Sequence, residues 1–212
     1  MNDMNSAILL TVILLNFFIL GTSRLAACIR VTGFQGGLLA LLPAAAYGIN
    51  PHTLFLAAST LAIKGLIIPW LLLRAIREVK IRREIEPRIG YVASLMIGAL
   101  TTAGAFIFAD RLPLLPQHIH SLFIPASLST LAAGFLLLIT RRKAITQVLG
   151  YLIFENGIFI FGILLAEAMP FMVEGGVLLD ILVGIFVMGI VMNHINREFS
   201  STNTEHLCLL KE

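Results

Sequence analysis

Charge is what this chain has least of. Lys, Arg, Asp and Glu together make up 13% of its 212 residues, about half the share of an ordinary soluble protein. That scarcity excludes a soluble globular domain and a disordered chain, both of which keep a polar surface. Cysteine is nearly as scarce. Cys28 and Cys208 are the only two, too few to ligate an iron–sulfur cluster or a structural zinc alone or to staple a disulfide scaffold. Both fall in segments read below as cytoplasmic, which disfavours a disulfide. There is no Walker motif, no GxGxxG, no nucleophile elbow and no haem signature. No recognisable redox centre is left, and no His, Asp and Glu set has metal-ligand spacing. His52 and His194 sit at span ends, His118 and His120 in a loop and His206 in the tail.

What is present is apolar. Hydrophobic residues are 58% of the chain and the mean hydropathy is +0.94. A spanning helix needs about 20 apolar residues, which predicts an all-α, polytopic membrane bundle with seven spans: Ser6–Thr22, Val31–Ile49, His52–Leu73, Ile89–Phe108, Leu122–Thr140, Val148–Ala168 and Val177–Asn193. No stretch outside them is long enough for a soluble domain. The single membrane domain divides into four N-terminal helices with an outer loop (1–121), a three-helix part (122–196) and a tail (197–212).

The net charge of +3 and isoelectric point near 9.1 report topology rather than nucleic-acid binding. Basic residues fall in alternate connections: Arg24 and Arg30 in the first, six between Arg74 and Arg88 in the third, Arg141, Arg142 and Lys143 in the fifth, and Arg197 and Lys211 in the tail. The even connections hold Arg111 alone. Positive loops stay inside, so the N-terminus is expected outside and the C-terminus in the cytoplasm. The first apolar run lacks the basic lead of a cleaved signal, and Arg24 interrupts the lipoprotein-like string Leu25-Ala26-Ala27-Cys28; an uncleaved first span is expected. The basic third connection fits a solvated interfacial helix continuing toward Pro87, and equally a docking surface for a soluble subunit. Small residues recur every four positions at Ser94, Gly98 and Thr102, and again at Ala126, Thr130 and Gly134. Such faces let helices approach closely.

Three ionisable residues lie inside the spans: Lys64 mid-way along the third, Glu155 in the sixth and Asp180 in the outer third of the seventh. Each is costly at a helix centre, about 2.5–3.5 kcal/mol on insertion scales, so pairing, hydration or neutralisation is required. At 1.5 Å per residue, Glu155 is about 10 Å, Lys64 about 15 Å and Asp180 about 20 Å from the cytoplasmic boundary. Neighbouring spans would make them a ladder whose steps need bridging water, a pattern suited to proton conduction. The bland alternatives are a structural ion pair, an interhelical bond such as Asn156 makes, or helix-end chemistry for Asp180. Pro69, five residues after Lys64, has no N–H and frees the Gly65 carbonyl. Broken helices of this kind line ion sites, though ordinary membrane kinks share the feature.

The segments Arg141-Arg142-Lys143, Gly150-Tyr151-Leu152-Ile153-Phe154-Glu155-Asn156-Gly157 and Asp180-Ile181-Leu182-Val183-Gly184-Ile185-Phe186-Val187-Met188, with Ile63-Lys64-Gly65-Leu66-Ile67-Ile68-Pro69, resemble hydrogenase-4 component E over most of the chain. The last three spans also resemble the small three-helix subunit K of respiratory complex I. Asp180 matches its second membrane carboxylate, shortened from Glu; Glu155 stands about one helical turn beyond the first, a shift of about 5 Å in depth.

The resemblance implies a non-catalytic subunit in the bacterial inner membrane, part of a multisubunit [NiFe] hydrogenase complex that moves protons or sodium. Its partners would be antiporter-like membrane subunits, soluble hydrogenase subunits and the lipid bilayer, with no nucleic acid. This chain would bind no cofactor, and the NiFe centre and iron–sulfur clusters would belong to partner chains. Lys64, Glu155 and Asp180 would form part of the ion path, with the helix break at Pro69 beside it. Two other classes fit the residues: a purely structural membrane scaffold, and an independent small-solute transporter.

Overall fold

The structure is a computed structural model and describes residues 2–78, 89–112, 122–141 and 144–165. All regular structure among these residues is helical: α1 (Asn2–Gly21), α2 (Leu25–Tyr47), α3 (Pro51–Thr60), a π-helical turn (Leu61–Ile67), α4 (Ile68–Glu78), α5 (Tyr91–Asp110), α6 (Phe123–Thr140) and α7 (Ala144–Leu165). Among the described residues, six helical stretches are long and apolar enough to cross a membrane, one of them running through α3, the π turn and α4. The expected seventh span, Val177–Asn193, lies outside the described residues, as do the 79–88 connection, the 113–121 loop and the tail.

Several expected boundaries move. The α2 helix begins at Leu25, not Val31. Its first turn is seeded by the Arg24 carbonyl, which accepts from the Ala27 and Cys28 amides at 3.0 Å. Arg30 therefore belongs to the helix rather than to a loop, and its side chain is exposed. A long cationic side chain is tolerated near a membrane helix end because it reaches outward to water. Likewise α7 begins at Ala144, not Val148. The third span is not broken at Pro69. It runs on from α3 to α4 through the wider π turn. At the opposite end of the bundle, α2 stops at Gly48, whose φ of 80° suits a residue without Cβ. Pro51 then opens α3 at a position where its missing N–H goes unneeded.

The α2 helix is the hub, packing on α1, α3, the π turn, α4 and α7, while α6 lies along α7 and also meets α1 and α5. The α6–α7 contact is backbone on backbone. A Cβ at Gly134 would overlap the Phe154 amide and come within 2.7 Å of the Gly150 carbonyl oxygen, and one at Gly157 would meet the Leu131 amide nitrogen at 2.7 Å. The expected small-residue faces are thus used: Gly134 against α7, Gly98 of α5 against Leu20 of α1. The outer faces stay apolar and exposed, as with Val92, Met96 and Leu100 of α5 and Phe55, Leu66 and Trp70 of the third span. Lipid tails, as apolar as these side chains, cover such faces without penalty.

Two apolar clusters fill the interior. One gathers Ile19, Leu20, Ile29, Leu72, Leu136, Leu149 and Ile153 toward the end that carries Arg24, Arg74 and Arg141. The other gathers Leu9, Val12, Leu39, Leu42, Ala126, Ile160 and Ile163 toward the opposite end. On each of α1, α2, α6 and α7 the residue numbers between the clusters belong to buried polar side chains: Asn16, Gln35, Thr130, Glu155 and Asn156. The fold is two greasy halves with a polar layer between them, and Lys64 enters that layer from the third span.

Candidate functional site

Lys64 sits inside the π turn, and the local sequence explains why. Pro69 cannot donate to the carbonyl one turn before it. The preceding amide, Ile68 N–H, bonds five residues back to the Ile63 carbonyl, the pairing that defines a π turn. The wider turn packs against a glycine face of α2. A Cβ at Gly36 would lie 2.8 Å from Lys64 Cβ and 3.0 Å from the Lys64 carbonyl oxygen; one at Gly33 would lie 2.7 Å from Pro69 Cγ. Any larger residue at these two positions forces the third span away. The Lys64 side chain, pressed between α2 and α7, is 5% exposed.

One face of α7 receives the ammonium. Lys64 Nζ is 3.3 Å from Glu155 Oε1, donates to Asn156 Oδ1 at 3.5 Å and lies 5.1 Å from the centre of the Phe159 ring. The two expected rungs are therefore one. The earlier start of α7 puts Glu155 eleven residues from the Ala144 end, about 16 Å at helical rise, level with the lysine. No water is needed to join them.

The Glu155 contact is one of charge rather than of hydrogen-bond geometry. Neither Glu155 oxygen accepts a hydrogen bond from a described residue, and both are shielded from solvent. A carboxylate has about four acceptor positions, so this one has unused capacity beside a donor that carries a proton. Transfer of one proton from Nζ to Oε1 converts an ammonium–carboxylate pair into an amine and a carboxylic acid, with no change in net charge. The arrangement can thus take up, hold or pass on a proton.

Asn156 continues the layer. Its Nδ2 donates to Gln35 Oε1 at 3.4 Å, Gln35 Nε2 donates to Asn16 Oδ1 at 2.9 Å, and Asn16 Nδ2 donates to Thr130 Oγ1 at 2.9 Å. On the other side of Lys64 a cavity of about 10 Å³ is lined by Lys64, Asn156, Thr32, Pro69, Leu72 and Leu149, among others. That is the room one water takes. It lies on the side of the pair facing the end of the bundle that carries Arg74 and Arg141. Pro69 thus shapes the turn and lines the space beside Lys64, whereas Asp180 lies outside the described residues.

Sequence reasoning missed Gln35 and Asn16, single amides in apolar runs. The available signal was the residue type itself, since Asn and Gln in membrane helices bond across them. It placed Arg141 in the connection after α6, where it lies, but did not foresee its burial. Arg141 is 1% exposed, donates from Nη2 to the Leu20 carbonyl at 3.0 Å and lies 5.1 Å from the centre of the Tyr91 ring. It is buried because the last carbonyls of α1, which have no helical partner, are there to accept from it.

Comparison with known proteins shows what the chain is similar to. The uncharacterized protein Rv0085 of Mycobacterium tuberculosis is 30% identical over 204 residues, covering 94% of this chain and 92% of that protein. The chain belongs to the family of that mycobacterial protein. More distantly, hydrogenase-4 component E of Escherichia coli K12 is 26% identical over 157 residues, 73% of this chain and 72% of that protein. The component of the same name from Shigella flexneri matches to the same extent. No family model matches the chain, and no solved structure matches it.

Proposed function

We propose that the chain is a non-catalytic membrane subunit of a hydrogenase-like complex in a bacterial inner membrane, and that its Lys64–Glu155 pair is a station on the path by which the complex moves protons or sodium. Asp180 is the next station outward in this reading, and the bundle anchors antiporter-like neighbours on its apolar flanks. The observation that carries the reading is the buried pair itself: a carboxylate with unused acceptor positions 3.3 Å from an ammonium, held at mid-bundle by two apolar clusters. The likeness to hydrogenase-4 component E supports the choice of complex. Metal chemistry is assigned to the partner chains.

The test is Glu155→Gln in inverted membrane vesicles that contain the intact complex. The amide keeps the shape and one acceptor oxygen but cannot take a proton at neutral pH. Assembly and hydrogen-linked electron transfer persist in this variant, while ion movement per electron falls to a small fraction. Undiminished ion movement in Glu155→Gln would reject the station and leave a structural ion pair.

A further inference from the structure

The amide chain has a direction, and Asn156 is oriented from both sides. An ammonium only donates, so Asn156 turns its oxygen toward Lys64 and must present its Nδ2 to something else. Gln35 Oε1 is there, at 3.4 Å. Gln35 in turn spends its own Nε2 on Asn16, and Asn16 spends its Nδ2 on the Thr130 hydroxyl. All four side chains are nine-tenths or more buried, so none can turn to bulk water instead. Amides keep their protons at neutral pH, so this chain is a poor conductor. It is suited to fixing orientation.

We propose that Gln35 is a positioning residue for Lys64: by accepting from Asn156 Nδ2 it keeps the Asn156 oxygen on the ammonium, so that Lys64 has a neutral acceptor on α7 besides Glu155. The consequence rests on the reading of Glu155 as a proton station. When Glu155 is neutralised, the Asn156 oxygen and the Phe159 ring, 5.1 Å away, still hold the ammonium in register. Without Gln35 the terminal torsion of Asn156, which is broad and roughly two-fold, is held from the Lys64 side alone, by one long contact of 3.5 Å. Its amide nitrogen then has no acceptor where it points, and turning it round would set a donor against a donor at Lys64. Asn16 and Thr130 act at one remove, by keeping Gln35 oriented. Gly36 supports the arrangement, because only a glycine lets the Lys64 backbone come close enough to the turn of α2 that carries Gln35.

Solid-state NMR of the full chain in phosphatidylethanolamine–phosphatidylglycerol vesicles, with labelled lysine, asparagine and glutamine, tests this directly. The wild type shows a Lys64 Nζ contact to Asn156 Cγ and a Gln35 Nε2 contact to Asn16 Cγ; absence of either overturns the proposal without recourse to a variant. Gln35→Met keeps much of the volume and removes both polar groups. It abolishes the Lys64–Asn156 contact, retains the Lys64–Glu155 contact as proof of folding, and shifts the Lys64 Nζ resonance. Gln35→Glu still offers an oxygen to Asn156 and restores the Lys64–Asn156 contact. Amides that merely glue helices together predict that neither variant moves the Lys64 signals, and an unchanged Lys64–Asn156 contact in folded Gln35→Met overturns the positioning role. The station reading fails separately: wild-type ion movement in Glu155→Gln would remove it while the NMR contacts stand.

Discussion

Among the described residues two cations are buried, and they are accommodated in different ways. Arg141 follows directly on α6 and reaches the end of α1, where the Leu20 carbonyl accepts at 3.0 Å and Tyr91 offers a ring face. Carbonyls at a helix end have no partner of their own, so the backbone itself supplies the acceptor. Lys64 sits mid-span, inside the π turn, and it is met by side chains of α7: the Glu155 carboxylate, the Asn156 amide and the Phe159 ring. The lesson is positional. A cation at a helix end closes a structure that is already unsatisfied, whereas a cation in a helix interior has to be matched by side chains recruited for it. In the second arrangement that match includes a carboxylate, 3.3 Å from the ammonium.

The largest effect belongs to the second arrangement. Lys64→Met leaves Glu155 buried with its charge uncompensated, and losing one partner of a buried pair costs about 3–5 kcal/mol. The full chain purified in detergent then melts at lower temperature or fails to accumulate. Lys64→Met combined with Glu155→Gln removes both charges, and its loss is smaller than the two single losses added. Additive losses would show that the 3.3 Å contact carries no energy. The double variant also separates pairing from conduction: stability recovers, and ion movement does not, since neither new side chain exchanges protons.

Arg141→Met probes the other cation and has a smaller effect. The Leu20 carbonyl loses a donor, and leaving one buried acceptor unmatched costs about 1–3 kcal/mol. Thermal unfolding of the variant measures that loss. Ion movement per electron in assembled complex stays at the wild-type level. A proportionate fall in both would mean that Arg141 belongs to the path and that the contrast between the two sites is false.

How much of this was legible in the sequence follows the same division. Apolar runs longer than a bilayer, interrupted by Lys64 and Glu155, marked the six described spans and singled out both residues as in need of a partner, because a mid-span charge is costly enough to stand out. Asn156 was legible as their neighbour. The pair's common depth was not. It depends on α7 starting at Ala144, and a helix start among moderately polar residues has no apolar edge to mark it. The burial of Arg141 was hidden for a related reason: a run of three basic residues is a sound loop signal, and only the approach of α1 reveals that its first member meets a carbonyl. Gln35 and Asn16 are bonded through positions 19 residues apart in sequence, which periodicity within one helix does not register. Pro69 announced a disturbance. That the disturbance is a continuous π turn rather than a break follows from packing on Gly33 and Gly36, a property of the neighbouring helix.

The smallest change in stability, and the finest test of the contrast, comes from Pro69→Ala. The new N–H supplies a donor for the carbonyl one turn back, and a net hydrogen bond contributes about 0.5–1.5 kcal/mol. Against this, the variant gives up the proline ring's contact with the Gly33 face of α2. The two terms nearly cancel, so unfolding shifts by about 1 kcal/mol or less, in the range of most tolerated substitutions. The geometry changes more than the stability. An α-turn holds 3.6 residues and a π turn more, so closing the turn rotates Lys64 relative to α4 and draws its ammonium off the Glu155 face. The coupling between Lys64→Met and Glu155→Gln, measured in the Pro69→Ala background, therefore shrinks while the overall fold persists. Coupling of unchanged size would mean that the lysine finds its partner from an ordinary helix as well. In that case the π turn merely accommodates a proline, and the mid-span cation needs no more local preparation than Arg141 does at its helix end.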